Sequence, residues 1–237
     1  MDEAVAVDVQ SAPAGGYSRA YYLARVGPMF WVEVRHLMSL AAVETGERIL
    51  ELGCGGGDFL SACAERCRPS LIVGLDVNRE ATALARRLAP AAVVALADAV
   101  RLPFRDGVFH AVVAQHLIEH FERPDEVVRE WSRVLRPGGR VAVATPNIMY
   151  PDPGLFDDPT HRQIYSRASL KGLFQRNGFS VERCYTVMPF LGNRRLTWTV
   201  ARWFLRLLLA FRFLPYFRLR GLTLFLGARK VQDGVKA

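Results

Sequence analysis

Glu51, Asp76 and Asp98 each stand at the end of a short apolar run, and Glu51 is followed at once by glycines: Gly53-Cys54-Gly55-Gly56-Gly57-Asp58. Ile49 to Leu52 read as the end of a buried strand, and the apolar pattern after the turn (Phe59, Leu60, Ala62, Ala64) reads as a helix. A strand, a tight glycine turn and a helix are the parts of a junction that cradles a nucleotide against bare backbone. The carboxylate beside that turn narrows the ligand. A pyrophosphate seeks backbone N–H groups and the positive end of a helix, and Glu51 would repel it. Spacing agrees, because G-x-G-x-x-G counted from Gly53 needs glycine where Asp58 stands, and counted from Gly55 it fails as well. No Gly-Lys-Ser/Thr follows, so the phosphate-binding P-loop is excluded.

An acid followed by G-x-G-x-G suits a nucleoside that has no phosphates and carries a cationic amino-acid tail, which is S-adenosylmethionine. A glycine-rich loop without a ligand is the alternative. Leu71-Ile72-Val73-Gly74-Leu75-Asp76-Val77 places Asp76 about 20 residues beyond the turn, where a second strand would aim a carboxylate at both ribose hydroxyls. Its other reading is a cap for the next helix. Ala91 to Leu96 ends in Ala97-Asp98-Ala99, and Asp98 there would accept from an adenine amine. Three carboxylates on three successive strand tips form one constellation.

With these segments the chain resembles the class I S-adenosylmethionine-dependent methyltransferases, particularly the subgroup of ubiquinone and menaquinone C-methylases. The resemblance also rests on Leu117-Ile118-Glu119-His120, Arg133-Val134-Leu135-Arg136-Pro137-Gly138-Gly139, Thr145-Pro146-Asn147 and Gly178-Phe179-Ser180-Val181. It covers roughly residues 17 to 187 and the final strand. The set is specific for the superfamily and almost silent on the methyl acceptor. It implies that Glu51, Gly53 and Gly55 meet the methionine moiety, Asp76 the ribose, and Asp98 and Ala99 the adenine, with Cys54, Val77 and Gln115 completing the cofactor set. One departure is His110, where the family commonly has Asp before its fourth strand; it is expected to alter local packing and leave cofactor binding intact.

These residues must be positioned by alternating strands and helices. The apolar patterns predict a helix over 21–43, then strands at about 48–52, 71–75, 92–97, 109–114 and 139–145, with helices at about 57–67, 79–88, 124–135 and 167–176. Pro137-Gly138-Gly139 is expected to end a helix and start a strand, Ser166 to cap a helix and Gly178 to close it. Residues 181–187 and 222–226 would pair as the sixth and seventh strands. The expected architecture is an α/β fold: a doubly wound, Rossmann-like seven-stranded sheet, mostly parallel with an antiparallel last strand and helices on both faces. Residues 1–16 read as a loose tail, and residues 17–237 as one domain with a basic amphipathic helical insertion at about 190–220 before the last strand.

Two histidines are candidates for proton transfer. An oxygen acceptor must lose its proton, and His161, in Asp157-Asp158-Pro159-Thr160-His161 after the fifth strand, lies on the rim where an acceptor would enter. His120 is the second candidate, and a capping or packing histidine is the alternative for either. His116-Leu117-Ile118-Glu119-His120 matches the H-x-x-E-H of inverted zinc peptidases. No third ligand in a downstream helix is evident, so no metal is expected.

Hydrophobic residues make up 51% of the chain, enough for one core of ordinary size. Cys54, Cys63, Cys67 and Cys184 lack C-x-x-C spacing and read as reduced thiols of a cytoplasmic protein. The start at Met1-Asp2-Glu3, with no basic region before an apolar stretch, gives no expectation of a signal peptide. Between Arg183 and Lys230 there are ten cations and no Asp or Glu, which accounts for the net charge of +8. Arg195, Thr199, Arg202 and Arg206 share one helical face, and Leu196, Val200, Trp203, Phe204, Leu207 and Leu208 fill a broad apolar sector. No charge-free run there reaches the ~18 residues of a spanning helix. Such a helix suits an anionic membrane surface, a lid over the acceptor pocket or a dimer contact. Nucleic acid is disfavoured, because long aliphatics interleave the cations and no RNA-binding module is present.

The expected function is methyl transfer from S-adenosylmethionine to a small-molecule or lipidic acceptor, at oxygen or carbon. A nicotinamide-dependent oxidoreductase is disfavoured by Glu51 and Asp58. A cofactor-binding relative without catalysis is the competing non-enzyme.

Overall fold

The computed structural model describes residues 28–150, 158–187 and 222–231. Its seven-stranded sheet has the order β3-β2-β1-β4-β5-β7-β6, built from β1 (Arg48–Leu52), β2 (Leu71–Asp76), β3 (Val93–Leu96), β4 (Phe109–Gln115), β5 (Leu135–Pro146), β6 (Phe179–Val187) and β7 (Thr223–Lys230). β1 to β5 pair in parallel, and β7 slots antiparallel between β5 and β6. β1, β2 and β4 are buried over nearly their whole length, which is why they read as continuous apolar runs without alternation. The chain leaves β1 toward β2 on one side and returns to β4 on the other. This reversal opens a crevice beyond the C-terminal ends of β1 and β4.

Among the described residues, five α-helices cover the faces: α1 (Pro28–Ala41), α2 (Asp58–Cys67), α3 (Arg79–Leu88), α4 (Pro124–Val134) and α5 (Arg167–Arg176). Successive strand residues serve opposite cores. Ile49, Ile72, Ala111 and Val113 pack with Leu37, Phe59, Leu60 and Ala85 beneath α1 to α3. Leu50, Val73, Val112 and Val143 pack with Trp131, Leu170 and Phe174 beneath α4 and α5. The Ser166 cap and the Gly178 exit fall where expected, and the cap of α3 is Asn78. Asn78 accepts from the backbone of Glu80 and Ala81 at the start of α3, Ser166 and Ser169 form a reciprocal capping box on α5, and Gly178 (φ +84°) takes the chain out of that helix.

Two expectations need correction or delimitation. β5 begins at Leu135, four residues before the expected start, and α4 stops at Val134. Pro137-Gly138-Gly139 therefore lies inside the strand. The register with β4 shifts between Phe109↔Leu135 and Ala111↔Arg140, and Gly138 (φ +71°) absorbs the irregularity. The expected tail 1–16 and the basic insertion at 190–220, with Arg195 to Phe211, lie outside the described residues. All four cysteines are free thiols. His110 Nδ1 accepts from the backbone N–H of Arg48 at 3.2 Å, a packing role between β4 and β1.

The first helix is tied to the sheet by a buried carboxylate. Val34, Leu37 and Ala41 fill the face of α1 that meets the sheet, and Glu33 stands on that face too, 7% exposed. Its carboxylate accepts from Gln115 Nε2 at 2.8 Å and from the Thr223 hydroxyl, and it faces His116 Nε2 at 3.0 Å. At the other end of α1, Arg140 of β5 donates to the carbonyl of Ala41 at 2.7 Å and pairs with buried Glu47. Burial alone would push the Glu33 carboxyl up. The neighbouring His116 charge and the hydrogen bonds from His116, Thr223 and Gln115 outweigh it and bring the carboxyl from 4.5 down to about 2.

A depressed carboxylate stabilises the fold fully above its unfolded value and loses that contribution as pH falls through the folded one. Urea unfolding at stepped pH should therefore show stability declining between about 4.5 and about 2, by roughly 3 kcal/mol from this group. Glu33→Gln should flatten that part of the acid limb. An identical slope in the variant would remove Glu33 from the account.

Candidate active site

Five residues expected to hold the cofactor line one cleft at the β1–β4 crevice: Glu51, Gly53, Cys54, Gly55 and Gln115, together with Phe30, Gly56, Asp58 and Phe59. Glu51 is 3% exposed at the tip of β1, in register with Gly74 of β2 and Val113 of β4. Gln115 ends β4, and its amide is oriented by Glu33. Phe30 comes from α1, so the helix anchored by Glu33 supplies one wall. Asp58 opens α2 with its side chain beside the cleft, and Glu51 sits across from it in the same lining. Two carboxylates at one turn repel a pyrophosphate and suit a cationic ammonium group.

The glycine turn is shaped by close backbone approach. Gly53 (φ +66°) lies against Leu117, and Gly57 (φ +89°) leads into α2 so tightly that a Cβ there would stand 2.8 Å from the Cα of Ala85 on α3. The Cys54 backbone N–H donates to the carbonyl of Leu75, and that of Gly57 to Cys54. Burial, and then the carboxylates of Glu51 and Asp76, push the Cys54 thiol well above its ordinary value, so it is a neutral packing group.

Asp76 is not the cap of α3, which is Asn78, and its carboxylate is tied to backbone on two sides. One oxygen accepts from the backbone N–H of Asn78 at 2.9 Å, a turn leading into α3, and the other accepts from Gly55 N–H at 2.9 Å. The carboxylate thus stitches the tip of β2 to the glycine turn. It is 9% exposed and retains lone pairs for ribose hydroxyls. Val77 follows it, exposed at the strand end. Asp98 is exposed and accepts from Val100 N–H at 3.0 Å. Ala99 is buried, its carbonyl accepting from the Trp131 indole at 3.3 Å. Glu130 and Arg133 of α4 fasten the same loop through the Leu102 N–H and carbonyl. Asp76, Val77, Asp98 and Ala99 stand at neighbouring strand ends but are not among the residues that line the cleft around Glu51.

The histidines lie apart from that cleft and close to one another. Past Gln115 the chain turns at His116 (φ +51°) into a short 3₁₀ turn, Ile118–His120. His161 arrives from the segment after β5, and its ring centroid is 5.1 Å from that of His120. Between them lies Glu119, fully buried, accepting from the Thr145 hydroxyl at 2.9 Å. Its backbone carbonyl accepts from the N–H groups of Arg162 and Gln163, which fixes the His161 segment to the turn. Burial pushes the Glu119 carboxyl up, but His116, 3.5 Å away, and then His120 outweigh it, so the group stays a carboxylate. Burial lowers the His161 imidazole below its usual range, more than Glu119 and Asp158 raise it. A neutral imidazole at neutral pH can accept a proton or a cation.

Glu33 and Phe30 were not singled out by the sequence patterns, and His116 and Thr145 entered only as members of motifs. The signal for Glu33 was present, since it shares a helical face with Phe30, Val34 and Leu37. His116 lies between two carboxylates, Nε2 toward Glu33 and Nδ1 toward Glu119.

Residues 50–143 match the family described as a methyltransferase domain. The demethylmenaquinone methyltransferase of Thermus thermophilus is 37% identical over 113 residues, 46% of this chain and 51% of that protein. The fatty-acid O-methyltransferase of Mycolicibacterium smegmatis is 33% identical over 147 residues, 61% of this chain and 52% of that protein. The chain thus spans about half the length of these curated relatives. Among solved structures, a Haloferax volcanii methyltransferase in complex with the Trm112 methyltransferase activator superposes with a TM-score of 0.70 at 19% identity, covering 90% of this chain and 95% of that one. That likeness establishes the fold. The glycine turn, the strand-tip acids and the sheet order agree with these matches, and together they liken the chain to the class I S-adenosylmethionine-dependent methyltransferases.

Proposed function

We propose that the protein transfers a methyl group from S-adenosylmethionine to an oxygen or carbon atom of a small-molecule or lipidic acceptor. The observation that carries this reading is the cleft in which buried Glu51 and Asp58 face bare glycine backbone. Such a lining suits an ammonium-bearing nucleoside and opposes the dinucleotide of an oxidoreductase. When bound, the cofactor supplies an already activated methyl on its sulfonium. The acceptor's electron pair then forms the new bond to the methyl carbon while the carbon–sulfur pair stays with sulfur, leaving a neutral thioether. The chain has to orient the acceptor, exclude water and, for an oxygen acceptor, take up one proton. His161 and His120 are the candidates for that proton, supported by their place on the strand-end rim. In this reading Glu51, Gly53 and Gly55 hold the methionine part, Asp76 the ribose, and Asp98 and Ala99 the adenine, with Cys54, Val77 and Gln115 completing the cofactor site.

Lipidic acceptors are favoured by the relatives, since one is named for a menaquinone precursor and another for fatty acids. The basic, aromatic segment Arg195–Phe211 gives that preference a route, either at an anionic bilayer or as a lid. Among the described residues, no helix is long and apolar enough to cross a membrane.

Calorimetric titration tests the cofactor. S-adenosylmethionine and its demethylated product should bind at micromolar affinity, and NAD should give no heat. Binding of NAD with neither sulfur compound would overturn the assignment. Asp76→Ala should weaken cofactor binding by about 1–3 kcal/mol, because ribose hydroxyls lose a charged acceptor and the turn loses its tie at Gly55. Asp76→Asn, which keeps one acceptor oxygen, should fall between. An unchanged dissociation constant in folded Asp76→Ala would leave Asp76 only its structural ties to the backbone of Asn78 and Gly55.

Vesicle co-sedimentation tests the membrane route. Each cation at an anionic surface contributes about 1 kcal/mol, so wild type should pellet with anionic vesicles in a salt-sensitive way, and Arg202→Glu with Arg206→Glu should not. If wild type ignores both anionic and neutral vesicles, the segment is a lid or a contact between copies.

A further inference from the structure

The 3₁₀ turn after β4 and the segment after β5 bring Glu119, His120 and His161 together so that one ligand atom of each lies within 4.8 Å of the others. We propose that these three side chains form a binding site for one divalent transition-metal cation of the zinc type, on the acceptor side of the cofactor cleft. The donor set is two imidazoles and one carboxylate, which suits zinc, cobalt or iron(II) and is poorly matched to magnesium. Three protein ligands leave coordination positions open, as in catalytic rather than structural sites.

Hydrogen bonding presets the first histidine. The Thr160 hydroxyl donates to Asp158 Oδ1 at 2.5 Å, so Thr160 presents only acceptors to its other neighbours. His120 Nδ1 lies 3.2 Å from the Thr160 carbonyl oxygen and 3.1 Å from its hydroxyl oxygen. Nδ1 must therefore carry the proton, and Nε2 carries the lone pair. An imidazole whose second nitrogen donates to a backbone carbonyl is the usual state of a metal-ligating histidine.

The other two ligands carry buried polar atoms that the fold leaves without a hydrogen bond among the described residues: Glu119 Oε1 and His161 Nδ1. Such atoms are rare in native folds, and here two of them belong to one three-residue cluster. Their opposite atoms have partners. Glu119 Oε2 accepts from Thr145 at 2.9 Å, and His161 Nε2 faces Asp158 Oδ2 at 3.8 Å. Asp158 thus orients His120 through Thr160 and lies near His161 as a carboxylate within ion-pair distance, beyond hydrogen-bond range. His116 Nδ1, 3.5 Å from Glu119 Oε1, is the competitor for that oxygen and is drawn the other way by Glu33. With metal–ligand bonds of about 2.0–2.1 Å, ligand atoms of a tetrahedral site stand roughly 3.4 Å apart, so small side-chain rotations close the present spacing.

Resting on the methyl transfer proposed above, the cation would hold the acceptor's hydroxyl and lower its pKa so that the hydroxyl proton leaves to solvent, and His120 and His161 would serve as ligands in place of taking up that proton directly. The site is accordingly suited to oxygen acceptors.

The test measures the metal directly. Chelator-treated, tag-free full-length protein is titrated with zinc by calorimetry and with cobalt(II) by visible absorption. One equivalent of each should bind, with the intense bands of a low-coordinate cobalt site, and magnesium should not compete. His120→Ala and His161→Ala should each weaken zinc binding by about tenfold or more. Glu119→Gln should do the same, but its buried position against Thr145 makes misfolding a risk, and the two rim histidines keep the proposal falsifiable without it. S-adenosylmethionine binding by each variant reports its folding. The site is wrong if wild type takes up neither ion. It is equally wrong if folded His120→Ala/His161→Ala binds zinc as wild type does, for instance through Cys63 and Cys67. Loss of cofactor binding in wild type would overturn the proposed function, and the metal titration would still be read on its own.

Discussion

Burying a carboxylate beneath the first helix is unfavourable unless donors are brought to it, and the donors that Glu33 requires come from distant parts of the chain. Gln115 ends β4, His116 begins the turn beyond it and Thr223 opens β7. Satisfying one carboxylate therefore fixes α1 over the sheet, the backbone exit of β4 and the start of the antiparallel strand together. Phe30, three residues before Glu33, becomes a wall of the cleft, and Gln115 becomes part of its floor. Because His116 spans Glu33 and Glu119, the constraint continues to the buried carboxylate beside His120 and His161. The cleft around Glu51 and the His120–His161 pair are thereby joined by a line of alternating carboxylates and imidazoles at strand tips.

The glycine turn is the complementary constraint. At Gly57 and Gly74 the space for a side chain is already taken, by Ala85 in one case and by Leu60 and Cys54 in the other. Backbone approach of this kind lets α2 and α3 pack closely while the turn presents N–H groups to the cleft. Asp76 occupies one of those N–H groups in the structure, that of Gly55. The carboxylate assigned to the ribose thus also pre-forms the loop assigned to the methionine part, so the two halves of the cofactor site are coupled before a ligand arrives.

Legibility in the sequence followed how local each feature is. The tips of β1, β2 and β3 could be read because an apolar run ending in an acid is a pattern within ten residues, and the Ser166 cap is a side-chain-to-backbone contact over three. The start of β5 was misplaced because Pro137-Gly138-Gly139 carries a turn signature, yet Leu135 pairs with Phe109 before the turn and the strand resumes after a register shift. Tertiary pairing overrode local punctuation. Glu33 was passed over although its position on an apolar stripe was visible, since an acid on a helix is ordinarily solvated. The His120–His161 contact joins residues 41 apart in number across two strand ends, and no periodicity encodes it.

That contact also bears on the H-x-x-E-H pattern. In an inverted zinc peptidase both histidines of the motif sit one turn apart on a helix and face one metal. Here His116 lies at a positive φ before the 3₁₀ turn and His120 at its end, so the two rings diverge. His116 goes to Glu33 and His120 to Thr160. The pattern is thereby split into two functions: one histidine bridges buried carboxylates that hold the fold, and the other joins a histidine from after β5 at the rim. A short motif on a backbone it was not made for keeps its donor atoms and loses its geometry, and the fold supplies a different third partner.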